Sequence, residues 1–190
     1  MYIQKAKAIS TDLETDKPYD FAAIVHVYFL LNQYDEIIKL LERHPYIKMD
    51  AWTSYRIAKA LENTHQSQKA LSFYEQAIEQ MPKQLDFRLQ ALGFMIKHEA
   101  WQMMETAVND YLKLYDKTAE VHAYKGVLLM RKNALSEAQS AFNKALSFDP
   151  DLLLALQNLK QLYGLMGNTE AEKSIEQRIK SCEKRLAITR

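Results

Sequence analysis

Residues 70–82 read ALSFYEQAIEQMP, and residues 138–150 read AQSAFNKALSFDP. Placed one above the other, the two stretches share alanine at their first and eighth positions, an aromatic residue at the fifth and proline at the last. Each of these four matches spans 68 residues, or two steps of 34. Agreement at four separate positions indicates an internal repeat, and a period in this range predicts stacked structural units.

Apolar residues within the repeat recur with helical spacing. In residues 51–84, one set belongs to a first helix and a second set to the helix that follows it: Ile57, Ala58 and Leu61, then Ala70, Tyr74 and Ala77. Pro82 ends the unit because proline cannot continue a helix interior. Four glycines and four prolines in 190 residues make the whole chain poor in helix breakers. The unit is therefore predicted to be a helix–turn–helix.

A 34-residue unit with small residues where two helices cross, an aromatic residue four positions later and a closing proline resembles the tetratricopeptide repeat (TPR). The resemblance covers most of the chain, with units at 18–50, 51–84, 85–118, 119–152 and 153–186. Residues 1–17 are then either an N-terminal cap or the remnant of a preceding repeat. The resemblance implies an all-α fold, a right-handed TPR superhelix (α-solenoid) of about five helix-turn-helix repeats with a C-terminal capping helix, in a single domain over residues 1–190.

Several positions depart from this pattern. Met104 and Tyr111 stand in the unit 85–118 where the flanking units have alanine, so we expect this helix pair to splay or rotate. Lys125 replaces the apolar residue that the family usually has before Gly126, and its stem can pack while the ammonium group reaches solvent. The unit 18–50 is one residue short in phase, a slip that the loop at 45–50 can absorb. The last helix predicts a cap, with one apolar face formed by Ile175, Ile179, Cys182 and Leu186.

Composition excludes several classes of function. With 25 basic and 24 acidic residues the formal net charge is +1, so no overall positive field attracts nucleic acid. A single cysteine, Cys182, excludes an intramolecular disulfide and fits a cytoplasmic protein. The start of the chain lacks the apolar core of a secretory signal. The most apolar run, residues 22–31, is half of the roughly 20 residues that a membrane-spanning helix needs, so we expect no membrane insertion.

No motif for catalysis, a cofactor or a metal stands out. The chain lacks a glycine-rich phosphate loop, GxSxG, HExxH and paired cysteines. No two of the five histidines share a predicted helix: His26, His44, His65, His98 and His122. We therefore expect no catalytic residues, no cofactor and no metal site.

The resemblance also implies where a partner would bind. In TPR superhelices the concave wall is built mainly from outward-facing residues of each first helix, and carrying this over by repeat phase gives six candidates: Phe29, Trp52, Tyr55, Arg56, Lys59 and Tyr124. Aromatic residues supply contact area and charges set the register of a bound peptide. The alternative is that some of these aromatics pack against neighbouring helices. Asp86 of the next unit is expected to satisfy part of the charge of Arg56 and Lys59.

The leading interpretation is a non-catalytic protein–protein interaction scaffold that binds a partner peptide or helix in the concave groove, as an assembly factor or a secretion chaperone. The carboxylate clamp of co-chaperones is not matched, because Asp86 and Glu120 stand where cations would be needed. Two alternatives stay open. One is a self-assembling module that forms a homodimer through the first repeat. The other is a TPR accessory domain of a larger enzyme.

Overall fold

The computed structural model describes Gln4 and residues 17–188, and no strand occurs in this part of the chain. Ten helices follow one another in residues 17–188: α1 Pro18–Leu30, α2 Tyr34–Arg43, α3 Ala51–Asn63, α4 Ser67–Gln80, α5 Leu85–Lys97, α6 Trp101–Leu114, α7 Ala119–Arg131, α8 Leu135–Phe148, α9 Leu153–Leu165 and α10 Thr169–Ile188. In chain order they form five helix–turn–helix repeats, which confirms the predicted all-α TPR fold. The predicted cap or repeat remnant at residues 1–17 lies outside the described residues, apart from Gln4 and Lys17.

Two compact units make up the chain, Met1–Phe94 and Met95–Arg190. Within the first, α3 packs on α4, and α1 contacts α2 and α3. Within the second, α8 packs against α7 and α9, and α10 covers α9. The boundary falls inside α5, in the repeat that departs most from the pattern. The single domain over residues 1–190 and the splay of the repeat 85–118 stay predictions.

The turn inside each repeat has a left-handed backbone residue at a fixed position. These residues are Asn32, His65, Glu99, Asn133 and Gly167, with φ between 54° and 69°. After each, the next backbone N–H donates to the carbonyl five residues earlier, as from Gln33 to Tyr28 at 2.9 Å. This bond satisfies a carbonyl group that the helix end leaves without an intrahelical partner. The left-handed residues are spaced by 33, 34, 34 and 34 residues, so the turns repeat the sequence period.

The one-residue slip of the first repeat has a structural origin. Helix α2 has 10 residues, whereas α4, α6 and α8 each have 14. The connection from α2 to α3 compensates, because residues 44–50 separate these helices where four residues separate the later pairs. A helix shorter by four residues and a loop longer by three leave the repeat one residue short, as the sequence predicted.

Small residues lie where the two helices of a repeat cross. Ala70, Ala77, Ala138 and Ala145 are all fully buried, which confirms the predicted phase. The aromatic residues of the pattern, Tyr74 and Phe142, are equally buried. Gly126 on α7 faces Phe142 of α8 so closely that a Cβ built on Gly126 would overlap Cε1 of Phe142 and lie 2.6 Å from its Cδ1. Glycine is therefore required here for space, at a cost in helix propensity of about 1 kcal/mol.

The capping helix α10 closes the second unit as predicted. Ile175 and Cys182 are buried against the core formed by α7, α8 and α9, and Ile179 packs at its edge. Arg185 forms an ion pair with Asp151 at 2.7 Å, and the thiol of Cys182 donates to the same carboxylate at 3.2 Å. No helix in the described residues is long and apolar enough to span a membrane.

His122 is a buried polar side chain of α7. Its Nε2–H donates to the backbone carbonyl of Asp116 at 2.6 Å, and only 5% of the residue is exposed. Burial is the main cause that lowers the pKa of His122, and the positive charges of Lys144 and Lys125 lower it further, against the opposing influence of Asp116. The folded protein therefore favours the neutral imidazole.

We predict opposite effects for two glycine-to-alanine substitutions in the second unit. Gly126→Ala should lower the free energy of unfolding by about 1–3 kcal/mol, because the added methyl group overpacks against Phe142. Gly164→Ala is the matched control, since its Cβ would meet only Glu172 at an ordinary 3.6 Å. It should raise the free energy of unfolding by about 0.5–1 kcal/mol through helix propensity. Urea denaturation measures both, and equal effects of the two variants would contradict the crossing geometry.

We also predict that the stability of the protein falls with pH in a way that depends on His122. The unfolded state takes up a proton as the pH drops below about 6.5, whereas the lowered pKa keeps the folded state neutral to lower pH. The loss of stability therefore begins near the unfolded pKa and levels off below the folded one. Urea denaturation at several pH values should show a weaker pH dependence for His122→Gln. His26→Gln, which changes an exposed side chain on α1, is the control.

Candidate functional site

Helix α3 presents one stripe of large side chains away from the core. Its N-cap is Asp50, whose carboxylate accepts from the Thr53 backbone N–H at 2.7 Å and fixes where the helix begins. The buried face contains Ser54, Ile57, Ala58 and Leu61. Trp52, Tyr55, Arg56 and Lys59 follow at spacings of three and four residues, so they share the other side of the helix. None of the four is fully buried.

Phe87 organises the aromatic part of this stripe. It is fully buried on α5, within the first compact unit. Tyr55 stacks on it with ring centroids 4.4 Å apart and planes 13° from parallel, and Trp52 meets it edge-on at 4.6 Å. Offset stacking and edge-on contacts of this kind stabilise ring pairs beyond the area that they bury. Both rings therefore have defined orientations.

Tyr55 and Trp52 differ in how much of the ring reaches solvent. Tyr55 is half-buried, and its pKa is raised first by burial and then by the negative charges of Asp86 and Glu62. Trp52 remains 43% exposed although it is one of the largest side chains of the molecule. The alternative that these aromatics pack against a neighbouring helix thus describes much of Tyr55, whereas Trp52 has both a packed edge and an exposed face.

The cations of the stripe are partly neutralised inside their own repeat. The guanidinium of Arg56 lies 5.6 Å from the centre of the Trp52 ring, within the range of a cation–π contact. Burial lowers the pKa of Arg56, and the negative charge of Asp50 opposes this. The ammonium of Lys59 pairs with Glu62 at 2.9 Å, and Tyr74 donates its hydroxyl to the same carboxylate oxygen at 2.7 Å. The expectation that Lys59 would be satisfied by Asp86 is therefore wrong, because a closer acid lies three residues along its own helix.

The other two predicted site residues lie apart from this cluster. Phe29 is half-buried on α1 and makes an edge-on contact with Tyr34, at 6.1 Å, on the next helix. Tyr124 belongs to α7 in the second compact unit and is also half-buried. Its pKa is raised mainly by burial and further by Glu120. The structure thus groups Trp52, Tyr55 and Arg56 tightly, with Lys59 one turn further along the helix.

Phe87 is the residue that the sequence reasoning missed. The repeat register contained a signal for it, because the positions 34 residues before and after are Thr53 and Val121, which are both fully buried. Its stacking on Tyr55 could not be predicted from the register, since that contact depends on how α5 lies against α3. No cluster of three or more metal-ligating side chains occurs among the residues that the structure describes.

Solved structures of similar fold support this architecture. A MamA double mutant superposes with a TM-score of 0.72 at 16% sequence identity, covering 90% of this chain and 97% of the other. MamA from Desulfovibrio magneticus RS-1 gives a TM-score of 0.66 at 16% identity, covering 90% and 95%. YrrB, described as a TPR protein with an unusual peptide-binding site, gives 0.68 at 16% identity, covering 94% of each chain. At these identities the similarity establishes the fold alone.

Sequence comparison identifies the repeat itself. No curated protein matches the chain. The family model for the tetratricopeptide repeat matches residues 53–84 and residues 119–152. These are the two segments that contain the sequence repeat and the buried alanines of the helix crossings. The protein is a tetratricopeptide repeat protein.

Proposed function

We propose that this protein is a non-catalytic interaction scaffold that binds a partner peptide or helix through the aromatic surface of α3, defined by Trp52, Tyr55 and Arg56. TPR proteins mediate binding to proteins and peptides, and their repeats create extended binding surfaces. The main support is Trp52, a large ring that is held at one edge by Phe87 and yet is 43% exposed. Such a ring offers contact area without first having to be ordered.

Residue type and support both favour a role for this surface in binding. Tryptophan, tyrosine and arginine are the residues that most often dominate the energy of protein interfaces. Tyr55 stacks on the buried Phe87, and Arg56 lies over Trp52, so the three side chains keep their positions in the free protein. A preformed surface loses less conformational entropy on binding. We therefore expect the partner to place an apolar side chain on the exposed face of Trp52.

The charges near this surface favour a mixed rather than a strongly basic site. Lys59 is paired with Glu62, and Asp50 lies close enough to Arg56 to act on its charge. Surface charges that are already paired contribute little to long-range attraction. Binding should therefore depend only modestly on salt concentration.

Tyr124 and Phe29 are proposed as further contacts with a partner, Tyr124 in the second unit and Phe29 in the first repeat. Both are half-buried, so each offers part of a ring to a bound chain. An assembly factor or a secretion chaperone in the cytoplasm is the cellular role that we propose for such a scaffold.

The prediction is that substitutions on the aromatic surface weaken binding of a peptide selected against the intact protein. A peptide is first selected from a displayed random library, and its affinity is then measured by calorimetry. Trp52→Ala and Tyr55→Ala should each weaken binding at least about tenfold, because truncating an aromatic anchor typically costs about 2 kcal/mol. Tyr124→Ala should have a similar effect if the peptide also reaches the second unit.

Glu172→Ala, on the capping helix, is the control and should leave the affinity unchanged. Circular dichroism should show that each variant remains helical. Equal affinities of wild type, Trp52→Ala and Tyr55→Ala would place binding elsewhere and overturn the proposal. Light scattering on the same preparations tests self-assembly: a wild-type dimer that Trp52→Ala converts to a monomer would make the aromatic surface a homodimer contact instead.

A further inference from the structure

A second surface feature lies within the repeat 119–152, on the other compact unit. A cleft of about 420 Å³ opens between α7 and α8 and is lined by His122, Lys125, Leu129, Ser140, Ala141 and Lys144, together with Glu137. Its volume falls in the range of ligand-sized sites. None of its lining residues belongs to the aromatic surface of α3.

The cleft exists because this repeat departs from its better-formed counterpart. Counting back 68 residues, Lys125 corresponds to Ile57 and Leu129 to Leu61, and both counterparts are fully buried. In the repeat 119–152 the lysine is exposed and Leu129 is only half-buried. Ala141 stands where the earlier repeat has the much larger Phe73. Two substitutions in the repeat pattern thus remove the apolar bulk that would otherwise fill the space.

The cleft combines an apolar floor with a basic rim. Leu129 and Ala141 contribute apolar surface, and the ring of Phe148, 39% exposed, lies 5.7 Å from that of His122. Lys125 and Lys144 both lie close enough to His122 to act on its charge. Both lysines are exposed, and no ion pair is formed by either of them within residues 17–188.

Charge and dimensions together define what would fit. Two lysines and Glu137 give this cleft a net charge of +1 with neutral histidine, which one carboxylate would balance. The lining residues span seven positions on each helix, from His122 to Leu129 and from Glu137 to Lys144, or about 10 Å at the rise of an α-helix. Three residues of an extended chain cover the same distance.

We propose that this cleft is a second binding site, which takes an extended segment of a partner protein that carries an acidic residue next to a large apolar one. The carboxylate lies between the ammonium groups of Lys125 and Lys144. The apolar side chain lies on Leu129 and Ala141, beside the ring of Phe148. Such a site does not require the aromatic surface of α3, so the two can be occupied independently.

Nuclear magnetic resonance titration of the full chain with a synthetic peptide tests this proposal. The probe is an N-acetylated peptide amide, Gly-Glu-Phe-Gly, and its matched version has glutamine in place of glutamate. The glutamate peptide should shift the amide signals of α7 and α8 residues around the cleft. It should bind about tenfold more tightly than the glutamine peptide, because it alone forms a charge-assisted contact with the lysines.

Variants separate this site from other surfaces. The double variant Lys125→Ile and Lys144→Ala should reduce the affinity for the glutamate peptide about tenfold and remove the preference over glutamine. Its isoleucine is the residue that the repeat 51–84 already has at this position, so the fold should tolerate it. Lys173→Ile, an exposed lysine on α10, is the matched control and should bind as wild type does.

Three results would overturn the proposal: no signal shifts at millimolar peptide, shifts that map away from α7 and α8, or equal affinity of the double variant and wild type. Trp52→Ala distinguishes the two proposed sites. It should leave the titration of the cleft unchanged, so loss of peptide binding in that variant would assign the peptide to the aromatic surface of α3 instead. A failure here leaves the result for the library-selected peptide unaffected.

Discussion

Close approach of the two helices inside each repeat is the constraint on which the rest of the molecule depends. The crossing is formed by residues with little or no side chain, such as Gly126, Ala138 and Ala145, and by one ring, Phe142, that fills the remaining space. Because a methyl group added at Gly126 would already overlap that ring, the spacing of α7 and α8 is fixed to within less than one carbon atom. Where the same positions hold Met104 and Tyr111, the larger side chains are still buried.

The turns transmit this local geometry along the chain. Each repeat reverses direction through one left-handed residue, and four of the five are not glycine. A non-glycine residue in that conformation costs energy, which the bond closing the helix end and the burial of the paired helices can offset. The turn therefore recurs at a fixed position even though its residue changes from asparagine to histidine, glutamate and glycine. Residue identity at the turn is free, whereas its backbone conformation is not.

Both proposed binding surfaces arise where a repeat departs from its pattern. On α3, Trp52 is exposed although its edge packs on Phe87. In the repeat 119–152, Lys125 and Ala141 replace the apolar Ile57 and Phe73 of the counterpart and leave a cleft with a basic rim. A repeat fold allows this because each unit is stabilised mainly by its nearest neighbours, so one unit can lose apolar bulk while the others keep theirs. The pattern sets the scaffold, and its exceptions supply the chemistry.

The sequence by itself determined the period, the buried alanines, the one-residue slip and the cap, because each follows from which residue types a helix crossing and a solvent-exposed helix face tolerate. It also selected Trp52, Tyr55 and Arg56 through their repeat phase. Only the tertiary structure decided that Tyr55 stacks on Phe87, that Lys59 pairs with Glu62 rather than with Asp86, and that Lys125 borders an open cleft. Repeat phase assigns a residue to one side of its helix. The distance to a side chain on another helix depends on how the helices pack, and this is set by the summed volumes of many residues distant in sequence.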